Sequence, residues 1–187
     1  MDIEDVYEKL SAHMITGMMI HEQFANYYDF LNLRGYKKCH EYRYLEETLQ
    51  YLKLCRYYLN HHDKLIRESK LETPNIIPKS WYKCRRRDAD TAVKIGAIKD
   101  GLAKWIEWET DTKKLYGEMY KVLLEMGCVA DSIFVSEMIK DVDKELRDAT
   151  NEMISKEAIC FDISEIINEQ PEMHHKYSKK MKHIFSD

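Results

Sequence analysis

Glycine and proline are scarce, six and three among 187 residues. So few breakers exclude a turn-rich sandwich or barrel and favour long helices. The five cysteines (Cys39, Cys55, Cys84, Cys128 and Cys160) are odd in number and scattered, with no Cys-x-x-Cys. That argues against a disulfide framework or a zinc knuckle and suits a reducing compartment. No apolar run approaches the roughly 18 residues of a membrane span, and no N-terminal segment has the pattern of a cleaved signal. A cytoplasmic protein is expected, with the host cytoplasm as its place if a mobile element encodes it. Charge of one sign is also lacking: 29 Lys+Arg stand against 33 Asp+Glu, a net charge of -4. That argues against capture of a nucleic-acid backbone by bulk charge. There is no Gly-rich phosphate loop, and no Ser/His/Asp or Cys/His arrangement follows from the spacing.

What is present reads as helix. Apolar residues recurring every three or four positions predict a first helix over residues 3–33 and a second over 35–64, joined by a turn at Arg34-Gly35. Pro74, Pro78 and the basic run Arg85-Arg86-Arg87 mark a long connection. A third helix, capped by Asp88, Asp90 or Asp100, runs to Met126 and ends at Gly127; a fourth, capped by Asp131 or Ser132, continues to about Lys156. A short fifth helix over 159–167 precedes Pro171. The expected organisation is one helical domain over residues 1–170 and a basic, flexible tail over 171–187. Two helical hairpins joined by one long crossover give an all-α four-helix bundle.

Helical periodicity assigns the inward faces. The first reads Ile3, Tyr7, Leu10, Met14, Gly17, His21, Phe24, Tyr28 and Leu31; the second Tyr36, His40, Tyr44, Glu47, Tyr51, Leu54 and Tyr58. The third reads Ile98, Leu102, Trp105, Glu109, Tyr116, Tyr120 and Leu123. The fourth reads Val135, Met138, Val142, Ala149 and Met153, with Glu145 at its margin and Glu137 and Asp141 pointing outward. A turn centred near Arg34 would set His21 opposite Glu47 and Tyr28 opposite His40. Buried carboxylates are costly unless compensated. His21, Glu47 and Glu109 at one level could share a metal, or could be satisfied by hydrogen bonds in a core rich in tyrosine.

The same residues carry a family likeness. Residues 35–50, which begin Gly35-Tyr36 and include Glu46-Glu47, resemble the second helix of ferritin-like proteins. The resemblance puts Glu47 at the metal-bridging position and Gln50 where the family has its His. His21, followed seven residues on by Tyr28, falls where the family has Glu and Tyr. Residues 77–81 are similar to its long crossover, residues 100–109 to its third helix with Glu109 at a ligand position, and Phe134 to Glu137 to the start of its fourth. The fourth helix has Glu137-Met-Ile-Lys140 in place of a Glu-x-x-His. The family oxidises and stores iron at a carboxylate-rich two-metal centre. The implied ligands here are Glu47, Glu109, His21 and Glu145 (or Asp141), for iron or manganese, with Tyr28 or Tyr44 as a hydrogen-bond or redox partner and self-association as a possible assembly. An alternative keeps the bundle without metal. It is an acidic helical interaction protein, such as a phage or mobile-element inhibitor of a basic, nucleic-acid-processing partner, using Glu137, Asp141 or Arg85–Arg87.

Overall fold

The computed structural model describes residues 1–67 and 89–184. Five helices account for the architecture: α1 (Ile3–Phe30), α2 (Arg34–His62), α3 (Thr91–Glu125), α4 (Val129–Ala158) and α5 (Ile163–Ile184). The expected crossover, with Pro74, Pro78, Trp81 and Arg85–Arg87, lies outside the described residues. No helix among the described residues is long and apolar enough to cross a membrane.

Each helix start has a local cause. Asp2 caps α1 reciprocally: its side chain accepts from Asp5 N, and the Asp5 carboxylate accepts from Asp2 N. Of the three acids expected to cap α3, Asp90 does so, accepting from Val93 N at 2.9 Å. The turn from α1 to α2 is made at Leu31–Leu33 rather than at Arg34-Gly35, with Asn32 left-handed at φ 59°. Gly35 instead admits α5, since a Cβ there would stand 2.9 Å from both Gln170 Oε1 and Met173 Cβ. Gly127, at φ 76°, turns the chain from α3 into α4. Asp131 and Ser132 do not cap α4. They are buried in its first turn, after a start at Cys128 without a side-chain cap.

The fifth helix differs most from expectation. It runs 22 residues and continues through Pro171 to Ile184, so residues 171–184, expected as a flexible tail, are helical. Burial of Ile166, Gln170 and Tyr177 offsets the hydrogen bond that Pro171 removes. Tyr177 packs its ring 5.6 Å from that of Tyr42 on α2.

Two apolar clusters fill the bundle. One holds Tyr7, Leu10, Met14, Leu54, Tyr116, Leu123 and Val142 at one end. The other holds Phe24, Tyr28, Tyr36, Trp105, Ala149 and Ile166 at the other. Where the two meet, each of the four long helices carries a buried ionisable residue: His21 beside Ile20 of the second cluster on α1, Arg43 with Glu47 on α2, Glu109 on α3 and Glu145 on α4. The core is therefore divided by a polar layer.

Candidate metal centre

The polar layer is built by helical periodicity, since each of its members sits in register with apolar residues of its own helix. His21 is fully buried, Glu109 nearly so, and Glu145 is 5% exposed. One ligand atom from each lies within 4.8 Å of the others. An ion held at roughly 2.0–2.2 Å spans opposite ligands up to about 4.4 Å apart, so a shift of a few tenths of an ångström would close the group on one ion.

Two ligand atoms in it have no hydrogen-bond partner. His21 Nε2 and Glu145 Oε2 are buried and make no hydrogen bond. His21 Nε2 lies 3.9 Å from Glu109 Oε1. Glu109 Oε1 in turn accepts from the indole of Trp105 at 2.9 Å, which fixes its carboxylate. The other ring nitrogen of His21, Nδ1, lies 3.0 Å from His40 Nδ1. One of the two must donate; with the proton on His21, its Nε2 carries a free lone pair facing the carboxylates.

The electrostatics match the burial. Burial pushes His21 well below its usual range, with the nearby His40 and Arg43 adding to it. Burial, then Arg43, holds His40 at about 3. Both rings are therefore neutral near neutrality, as a ligand imidazole must be. Burial pushes Glu47 well above the carboxylate range, with Glu145 and Glu109 reinforcing it. Glu109 is raised in the same direction by burial and by Glu145. Glu145 is raised to about 7 by burial, opposed by Arg43 and assisted by Glu46 and Asp141. These carboxyls hold protons that a cation could displace.

Of the four ligands expected, the structure brings His21, Glu109 and Glu145 into one group. Glu47 is buried in the same layer, but its carboxylate is packed on Gly17 of α1, where a Cβ would lie 3.1 Å from Cδ and Oε1. Of the two pairs expected across the first hairpin, Tyr28 and His40 are in contact, their rings 5.4 Å apart, while His21 departs from its expected partner. His21 meets His40, because the turn lies earlier than Arg34. Glu145, placed at the margin of its stripe, is on it, three residues after Val142 and four before Ala149. Tyr44 is exposed, whereas Tyr28 is fully buried with its ring 5.4 Å from that of His40. Glu137 and Asp141 are exposed as expected.

The sequence reading missed Arg43, which is 1% exposed. Its signal was the i, i+4 spacing to Cys39 and Glu47 on the inward face. Its Nη1 lies 2.6 Å from Glu46 and its Nη2 2.7 Å from Asp148. A surface cleft of about 200 Å³, lined in part by Arg43, Glu46, Gln50, Asp141 and Glu145, opens onto the layer between α2 and α4.

No family model and no curated protein matches the chain at the level of sequence. Solved structures do. A humanized archaeal ferritin superposes with a TM-score of 0.76 at 13% identity, covering 91% of this chain and 94% of its own. A ferritin of Archaeoglobus fulgidus engineered to a closed form gives 0.76 at 12% identity, covering 93% and 96%. The open-pore ferritin of the same archaeon gives 0.75 at 13% identity, covering 91% and 93%. At such identities the likeness concerns the path of the chain, and the all-α bundle with its C-terminal helix has the ferritin-like fold.

Proposed function

We propose that this protein binds a divalent transition metal inside the bundle, iron in the first place and manganese in the second, through His21, Glu109 and Glu145, with Glu47 as an accessory acid. One observation carries the reading: His21 Nε2 is buried, has no hydrogen-bond partner, and faces two carboxylates close enough to share an ion with it. An unpartnered buried nitrogen costs about 1–3 kcal/mol, and an ion in this position removes that cost. Imidazole and carboxylate donors together suit Fe(II) or Mn(II). The ferritin-like fold favours iron, which would be handled as a substrate, taken up as Fe(II) and oxidised by dioxygen.

In this reading the protein's own groups have distinct tasks. His40 holds the tautomer of His21, Trp105 orients Glu109, and the cleft beside Glu46 and Asp141 admits the cation. The test is equilibrium dialysis of the purified chain against Fe(II) under anaerobic conditions and against Mn(II), followed by metal analysis. Stoichiometric metal in the wild type, lost in His21→Ala and Glu109→Gln with helical content kept, supports it. No metal in the wild type would leave the layer as a hydrogen-bonded core, and the protein-interaction reading would take its place.

A further inference from the structure

The polar layer already contains a cation. Arg43 is buried among the acids, and its guanidinium keeps its charge at every accessible pH. Glu46 and Asp148, at the rim, anchor it at 2.6 and 2.7 Å. Its Nη1 also stands 3.5 Å from Glu145 Oε2, and its Cζ lies 5.5 Å from the centre of the Trp105 ring that orients Glu109. The fixed charge thus touches two walls of the candidate centre.

Three buried carboxyl groups and an imidazole offer donors enough for two divalent ions once their protons are displaced. Here the fourth donor, Glu47, is drawn against Gly17, and Arg43 flanks Glu145. Among the described residues, one group of three ligands forms, that of His21, Glu109 and Glu145. We propose that Arg43 is a resident counter-cation that limits the centre to a single divalent ion, taking by its permanent charge and bulk the place a second ion would need beside Glu145. The inference rests on the metal-binding reading above and adds the stoichiometry and its cause.

The test is titration of the metal-free full chain with Mn(II), read by bound metal and by electron paramagnetic resonance. The wild type should saturate at one ion per chain and show the hyperfine spectrum of an isolated ion. Arg43→Met keeps the length of the stem and removes the charge. It should raise capacity above one ion, or tighten the first by at least about tenfold, since a nearby like charge is gone. Arg43→Lys should stay at one ion. A wild type that takes two spin-coupled ions overturns the proposal while leaving the metal reading intact, as does an Arg43→Met protein unchanged in capacity and affinity. If Arg43→Met does not fold, Arg43→Gln, which also lacks the charge but keeps hydrogen-bond donors for Glu46 and Asp148, is titrated in its place with the same two outcomes. A wild type that binds no ion overturns both readings together.

Discussion

The Nδ1 atoms of His21 and His40 lie 3.0 Å apart in a core neither ring can leave. The contact allows one proton between them, so the tautomer of one ring dictates that of the other. If His21 is a ligand through Nε2, His40 is the acceptor that orients it. His40→Phe keeps an aromatic ring against Phe24 and Tyr28 but removes the acceptor. Affinity for Mn(II) should fall by about 10–100-fold, with far-ultraviolet circular dichroism unchanged. Unchanged affinity would mean that His40 is core filler.

Proton linkage gives a second expectation. Glu145 titrates at about 7 in the folded chain, against an ordinary 4.5, because burial outweighs the attraction of Arg43. A cation must expel that proton, so Mn(II) affinity should rise with pH by at least about tenfold per unit up to about pH 7 and more shallowly above. For the metal-free protein the sign is opposite. The folded state holds the extra proton, so this group's contribution to stability is full below 4.5 and is lost as pH rises through about 7. Isothermal titration in buffers of different ionisation enthalpy measures the released protons. Binding without proton release at pH 6 to 7 would show that Glu145 takes no part.

Gly101 and Tyr28 make a third case. A Cβ on Gly101 would lie 2.0 Å from the Tyr28 hydroxyl and 3.1 Å from its Cζ. The close approach of α3 to α1 therefore requires glycine here. Gly101→Ala should cost roughly 1–3 kcal/mol. The hydroxyl is buried without a hydrogen-bond partner, so Tyr28→Phe alone should be neutral or stabilising and should restore part of the loss in the double variant. Thermal melts of the three proteins check this; additive effects would rule out the contact.

The four long helices and most of the inward faces were legible because period and breakers act locally. Tyr7, Leu10, Met14, His21, Phe24 and Tyr28 are all buried as their spacing requires. What was not legible depends on partners distant in sequence. Arg43 shares the inward face of α2 by its spacing, but its burial is compensated only once Glu145 and Asp148 of α4 come beside it. The pairing of His21 with His40 depends on which residue makes the turn, and Asn32 is a weaker signal than Gly35. Residues 171–184 read as a tail because Pro171 is a local breaker, whereas the packing that overrides it comes from α2.

The docking of α5 leads to the last expectation. The N-terminus of α2 has no cap of its own, since Leu33 occupies the capping position without a side-chain acceptor. Gln170, 135 residues away, supplies one: its Oε1 accepts from Gly35 N at 2.9 Å and from Tyr36 N at 3.3 Å, and its Nε2 donates to Ile166 O at 3.1 Å. A single amide thus closes α2 and fastens α5 to it. Gln170→Ala leaves two buried N–H groups without an acceptor and should cost about 0.5–2 kcal/mol, the range for a lost helix cap. Gln170→Glu keeps the acceptor and adds a charge favoured at a helix N-terminus, so it should lose less. Hydrogen exchange should report the cause directly, with Gly35 and Tyr36 amides exchanging faster in Gln170→Ala and amides in the middle of α2 unaffected. Equal protection at Gly35 and Tyr36 in all three proteins would mean that α5 docks by its apolar face alone.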